Sequence, residues 1–160
     1  MGYSVGDRVV YPLHGAGVVE AIEERTVLGR AEVYYILRLP LGEMRVLIPC
    51  AQADNAGLRP VIAQEAVSEL LRCAAEAAGG SAPANWNHRY REHLEKLRSG
   101  EAAQVAEVVG MLAHRAHRRA LPAGERKLFE HARRILLSEI ALAGDLKADD
   151  AEQLLDAAIW

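Results

Sequence analysis

The sequence has few of the residues on which several classes of protein depend. Only two of its 160 residues are cysteine, Cys50 and Cys73, and their spacing is not that of a metal site, so we expect reduced thiols in a cytoplasm. No apolar run approaches the ~20 residues that a membrane-spanning helix needs. The first eight residues, MGYSVGDR, lack the basic and apolar regions of a secretory signal. We therefore expect a cytoplasmic protein with no membrane segment.

The motifs of common enzyme classes are also missing. The chain has neither a glycine-rich phosphate-binding loop nor a nucleophile motif. The alternative is a zinc site built from His114, His117 and His131, which could supply three imidazole ligands. Cations crowd the segment that holds two of them, HRAHRR at 114–119, and no acidic residue adjoins it as a base. We therefore predict a protein without catalysis, metal or cofactor.

The charges of the chain are unevenly distributed. The formal net charge is −3, but residues 86–134 carry 11 Lys and Arg against 6 Asp and Glu, together with five of the six histidines. The segments on either side, 1–85 and 135–160, are both acidic. A basic segment between acidic flanks indicates a local site for a polyanion, and the alternative is an ordinary solvated helix face.

The first part of the chain, 1–60, has the pattern of a small β domain. Short segments rich in β-forming residues alternate with Gly and Pro turns, and the second of them alternates imperfectly, which predicts a bend or bulge. A turn at 40–43 is predicted between the third and fourth of these segments. Four or five short strands in ~60 residues are typical of a Tudor- or SH3-like barrel. The predicted strands are 8–11, 17–27, 31–39 and 44–49.

The second part, 64–160, has helical periodicity throughout. Each segment carries apolar residues at the spacing of one helix face, and Gly, Ser or Pro separates it from the next. The predicted apolar stripes of the second, third and fourth helices are Tyr90, Leu94 and Leu97; Val105, Val108, Val109, Leu112 and Ala116; and Leu128, Ala132, Ile135, Leu136 and Ile140. Asn85 and Ser99 are the predicted caps of the second and third helices, after a small-residue linker at 79–84. Together the two parts predict an α+β protein, a small barrel followed by a five-helix bundle. The predicted helices are 64–78, 86–98, one between 99 and 119, 123–143 and 148–159.

Trp86 lies at the predicted start of the second helix and is followed at once by Arg89 and Arg91. A large apolar ring at this position can fill the core of the bundle. It can also be inserted into a base step from the minor groove while the cations hold the phosphates. Trp160, at the other end of the helical part, is expected to pack or fray.

Two motifs in this order resemble those of the CarD/CdnL family of bacterial transcription regulators. The first is GDRVVYPLHGAGVV at 6–19, with Gly57-Leu58-Arg59 following the last strand. The second runs from Asn85-Trp86 to Ser99-Gly100 and continues in VAEVV at 105–109. The resemblance covers essentially the whole chain, and the first domain of the family is shared with the polymerase-interacting domain of the transcription-repair coupling factor.

The resemblance implies a function and a set of site residues. The N-terminal domain would bind the β subunit of RNA polymerase. The helical domain would contact promoter DNA at the upstream edge of the bubble, where Trp86 would act as a minor-groove wedge that stabilises the open complex. Arg89, Arg91 and Arg126 match basic positions that would contact DNA. A monomer is expected.

On the polymerase side the resemblance implies Arg25 on the second strand. Where the family often has a basic residue on the last strand this chain has Leu47, and Arg45 lies two residues earlier on the same strand face. Arg45 would substitute, or the polymerase contact is altered; the alternative is that Arg25 and Arg45 are ordinary surface charges. A protein-interaction adaptor of the polymerase that does not touch DNA is the alternative function.

Overall fold

The computed structural model describes residues 2–39, 43–77 and 85–160, as an antiparallel sheet followed by helices. The α+β class and the order of its parts are those predicted from the sequence. The predicted linker at 79–84 and most of the predicted turn at 40–43 lie outside the described residues. No helix in the described ranges is both long enough and apolar enough to cross a bilayer.

Within the described ranges, five antiparallel strands form one sheet in the order β4-β3-β2-β1-β5. The predicted bulge is present, since the register between β2 and β3 shifts between Val19 and Ala21. Gly17 allows β2 to lie close to β3, because a Cβ there would be 2.4 Å from the carbonyl oxygen of Arg38. The strands are β1 Arg8–Tyr11, β2 Gly15–Val27, β3 Arg30–Leu39, β4 Met44–Pro49 and β5 Arg59–Pro60.

Five helices follow in the part of the chain that the structure describes, and their ends agree with the predicted ones to within a few residues. The side chain of Asn85 accepts a hydrogen bond from the backbone N–H of His88 and caps the second helix, as predicted. The prediction for Ser99 was wrong, because it ends the second helix and Glu101 is the N-cap of the third. The helices are α1 Val67–Ala77, α2 Trp86–Arg98, α3 Ala102–Arg118, α4 Ala123–Gly144 and α5 Ala148–Ile159.

The sheet and the helices each have an apolar core. In the sheet, Val9, Val19, Tyr35, Leu37 and Ile48 pack together on one face. In the bundle, the predicted stripe of α4 is buried, and so is that of α3 except for the half-buried Ala116. Both stripes meet residues from α1, α2 and α5. Each part therefore buries its own apolar surface.

Helix α4 also joins the bundle to the sheet. The hydroxyl of Ser138 accepts a 2.8 Å hydrogen bond from the backbone N–H of Ala16 on β2. One residue further, the Glu139 carboxylate pairs with Arg59 on β5 and accepts a hydrogen bond from the backbone N–H of Ile62. The C-terminal half of α4 therefore packs against both parts of the molecule.

Candidate nucleic-acid interface

Three helix ends meet on the side of the bundle that holds Trp86. The carboxylate of Glu125, in the first turn of α4, pairs with Arg89 in the first turn of α2 and with Arg115 in the last turn of α3. We call this region, formed by the first turns of α2 and α4 and the last turn of α3, the Trp86 end. Its residues come from segments that lie far apart in the sequence.

Trp86 is the first residue of α2 and is not part of the bundle core. Its side chain is 37% exposed. Carbon atoms of the indole lie against Gly124, where a Cβ would be 3.1 Å from Cζ2. The ring of Tyr90 meets it edge to face at 5.3 Å between centroids. The alternative in which Trp86 fills the bundle core is therefore wrong, because one side of its ring is supported and a large part of it is in solvent.

Arg89 lies inside the Trp86 end and not on its surface. Its side chain is almost completely buried, and Glu125, its partner, is fully buried. The Nε and Nη2 atoms of Arg89 both donate to Oε1 of Glu125, at 3.0 and 2.5 Å. The Cζ atom of Arg89 is also 5.8 Å from the centre of the Trp86 ring, within the range of a cation–π contact.

Other cations lie in these helix turns or within two residues of them, and they are exposed. Arg91 on α2 and Arg126 on α4, both predicted to contact DNA, lie at the surface. Sequence reasoning missed Arg118, Arg119 and Lys127, which are exposed as well. Among the described residues none of these five cations has a carboxylate partner. The signal for two of them was the HRAHRR segment, which lies inside the basic region 86–134 but was not singled out there as a DNA contact.

The burial of Arg89 changes the inward face of α2. Tyr90, Leu94 and Leu97 formed the predicted stripe, but Tyr90 is exposed, and Arg89, His93 and Leu97 are the buried residues. Both ring nitrogens of His93 are buried without a hydrogen-bond partner among the described residues. Burial lowers the pKa of His93 to about 4, and the nearby Lys96 acts in the same direction. The imidazole is therefore neutral at physiological pH.

The histidines considered as zinc ligands have other contacts. The ring of His117 stacks on Trp160 at 4.3 Å between centroids. His131 Nε2 lies 2.7 Å from the carbonyl oxygen of Leu13, at hydrogen-bond distance. The described ranges contain no group of three His, Cys, Asp or Glu side chains placed to hold a metal ion.

The candidate polymerase contacts lie on the sheet. Arg25, Arg45 and Leu47 are exposed, and the pairing register places all three on the face opposite the sheet core. Arg45 and Leu47 are neighbours on the edge strand β4, and Arg45 pairs with Glu20. Arg25 pairs with Glu23 and lies opposite Glu32 on β3. Arg45 lies opposite Arg38 on the same strand, six residues further along, so the two arginines are roughly 20 Å apart. The structure therefore brings two of the three residues together.

Comparisons with known proteins cover nearly the whole chain. Residues 3–62 match the family model described as the CarD-like/TRCF RID domain, and residues 67–156 match the model described as CarD, C-terminal domain. Over 138 residues the chain is 33% identical to a protein of Bacillus subtilis (strain 168) named "Putative transcription factor YdeB". The alignment covers 86% of this chain and 90% of that relative.

Proposed function

Because the chain belongs to the CarD/CdnL family of transcription regulators, we propose that it stabilises the promoter open complex by a Trp86 wedge. Membership makes the chain a CarD-like regulator of RNA polymerase, with a Tudor-like N-terminal domain of the polymerase-interacting type. The proposal adds the β subunit as the partner and the minor groove at the upstream edge of the bubble as the wedge site. We also expect the protein to be a monomer in the cytoplasm and to catalyse no reaction.

The position of Trp86 is the observation that carries the proposal. A wedge needs a large ring that is fixed on one side and open on the other, and Trp86 is held by Gly124 and Tyr90 while a large part of it faces solvent. Unstacking a base step costs a few kcal/mol. Stacking of a base on an aromatic ring returns about 1–3 kcal/mol. The two terms are of similar size, so a single indole can stabilise an opened step.

The exposed cations supply the remaining contacts to DNA. Arg91 and Arg126, which the family resemblance implies, are joined by Arg118, Arg119 and Lys127 at the same end of the bundle. Contacts from such side chains to phosphates fix the position on the duplex without reading sequence. With few contacts, the affinity for free DNA should be weak and should fall steeply with salt.

The sheet would hold the regulator on the polymerase. Strand β4 is an edge of the sheet, and it carries Arg45 and Leu47 on its exposed face. An exposed edge strand invites pairing with another chain, which a partner contact would use. Binding there raises the local concentration of DNA at the Trp86 end, so two weak sites act as one.

The decisive experiment compares open-complex lifetime with polymerase binding. We expect Trp86→Ala to shorten the lifetime of the promoter complex about tenfold, since one stacking contact is lost, and to leave binding to the β subunit unchanged. Trp160→Ala is the matched control, because Trp160 is also an exposed indole of the helical part. An unchanged lifetime with Trp86→Ala would favour the adaptor that does not touch DNA.

A second variant tests the polymerase face. Arg25→Glu should abolish recruitment to the β subunit while the affinity for free DNA stays the same. Arg98→Glu is its control, because Arg98 is exposed on α2 and has no carboxylate partner among the residues described. Recruitment of Arg25→Glu at the parent level would show that this face was wrongly assigned.

A further inference from the structure

Arg89 lies between the carboxylate of Glu125 and the ring of Trp86, and this arrangement gives it a role other than binding DNA. We propose that Arg89 is a positioning residue: Glu125 fixes its guanidinium, the guanidinium and Gly124 support the indole, and the phosphates are left to the exposed cations. The inference rests on the proposed wedge function of Trp86. It differs from the phosphate contact that the family resemblance implies for this arginine.

The pairing of Glu125 holds Arg89 in place. Each carboxylate oxygen has its own guanidinium, with Oε1 bound by Arg89 and Oε2 bound by Arg115 at 3.1 Å. Glu125 is completely buried, and a buried charge that loses a partner is strongly destabilising. If Arg89 turned outward to a phosphate, it would exchange this pair for a contact at a wet surface, where an ion pair is worth little. The buried position is therefore favoured.

Helix α4 supplies both parts of the support through adjacent residues. Glu125 fixes Arg89, whose Cζ atom lies 5.8 Å from the centre of the indole. The neighbouring Gly124 leaves room for the ring, because a Cβ there would lie 3.1 Å from Cζ2 and 3.6 Å from Cη2. An alanine at 124 would force the indole outward by a few tenths of an ångström. The direction of Trp86 is thus set by the first turn of α4.

Salt dependence separates a positioning residue from a phosphate contact. Affinity for DNA decreases with salt, and the steepness of a plot of log affinity against log salt decreases by about 1 for each phosphate contact that is removed. The affinity for the polymerase–promoter complex would be measured at several salt concentrations for Arg91→Met and for the double variant Arg89→Met/Glu125→Met. The double variant leaves no unpaired buried carboxylate. It also removes the partner of Arg115, whose side chain is 26% exposed. Gly124→Ala is a second variant, which alters the support and no charge.

We expect Arg91→Met to make the salt dependence less steep by about 1. The two support variants, Arg89→Met/Glu125→Met and Gly124→Ala, should leave the steepness unchanged. Both support variants should shorten the open-complex lifetime, by up to the roughly tenfold loss expected when the stacking contact is removed. A slope lowered as much in the Arg89→Met/Glu125→Met variant as in Arg91→Met would overturn the proposal. The proposal would also be overturned if both support variants had the open-complex lifetime of the parent while Trp86→Ala shortened it.

Fluorescence of the free protein separates this inference from the wedge function. In a Trp160→Phe background Trp86 is the single indole of the chain. We expect acrylamide to quench it more strongly in Gly124→Ala and in Arg89→Met/Glu125→Met than in the parent. Quenching that does not change would overturn the proposed support. If quenching increases in the support variants but Trp86→Ala has the open-complex lifetime of the parent, the wedge function is refuted and the support of the indole by Arg89 and Gly124 is retained.

Discussion

Arg59 on β5 and Glu139 on α4 form a bidentate ion pair in which both N–O distances are 2.7 Å. The carboxylate is 3% exposed, and one of its oxygens also accepts a hydrogen bond from the backbone N–H of Ile62. These contacts join the sheet to the bundle at a buried position.

Removing one partner of this pair should destabilise the protein strongly. We expect Glu139→Leu to lower the free energy of unfolding by about 3–5 kcal/mol, because Arg59 is left without its counter-charge. Urea denaturation followed by circular dichroism measures the change. The exposed pair of Arg72 with Glu69 is the control, and Arg72→Met should leave the urea midpoint close to that of the parent, because solvent screens an exposed pair. Equal effects at the two sites would contradict the structure.

A methyl group at Gly110 should separate two helices. A Cβ there would lie 2.0 Å from the carbonyl oxygen of Ala74, so Gly110→Ala must push α3 away from α1. We expect a loss of about 1–3 kcal/mol or more in stability, measured by thermal or urea unfolding. The matched control is Gly124→Ala, the same change in another helix, which meets only the side chain of Trp86. A Gly110→Ala variant as stable as that control would show that the helices are not in close contact.

The buried imidazole of His93 should make stability depend on pH. The pKa of His93 is lowered to about 4 in the folded protein by burial and by Lys96 and Arg89, against the raising effects of Glu125 and Glu92. The unfolded chain therefore binds a proton near pH 6.5, before the folded one does. Stability from this group is complete above about pH 6.5 and falls as the pH decreases toward about 4.

The variant His93→Leu tests this dependence. Urea midpoints at pH 7 and pH 5 should differ less in the variant than in the parent, because the proton uptake of the unfolded chain is removed. A parent protein whose midpoint changes no more than that of the variant would show that His93 is not buried as the structure describes.

The cap of α2 should matter to both stability and wedge geometry. Asn85→Ala removes the 3.1 Å hydrogen bond to the backbone N–H of His88 and should cost about 1 kcal/mol. Asn85→Ser keeps a capping oxygen and should stay close to the parent in urea denaturation. Since Trp86 is the next residue, the first variant should also change its fluorescence. Equal stability of the alanine and serine variants would rule out the cap.

Sequence periodicity was sufficient for most helices. In α4 the predicted stripe of Leu128, Ala132, Ile135, Leu136 and Ile140 is buried throughout. Local patterns succeed here because an apolar face repeats every turn and the core selects it. The same reasoning missed Ser138 and Glu139, whose polar side chains pattern analysis assigns to solvent. Their partners, Ala16 and Arg59, lie on the sheet and are visible only in the folded chain.

The wedge residue could be found from the sequence, but its support could not. Trp86 follows a capping Asn and precedes two arginines, a pattern that is visible locally. Whether Arg89 faces solvent or the interior depends on Glu125, which lies 36 residues away. Hydrophobic periodicity assigns an arginine to the surface, and for that reason Tyr90 was placed in the core instead.

Helix α4 fixes how far the indole stands from the sheet and in which direction it points. Gly124 supports Trp86, and Ser138, fourteen residues later, is bonded to β2, so these two points are about 21 Å apart along the helix axis. One extra residue between them would rotate one end by about 100° relative to the other. Helix α4 can therefore tolerate substitutions on its exposed surface, but an insertion or deletion between Gly124 and Ser138 would change the direction of the indole relative to the sheet.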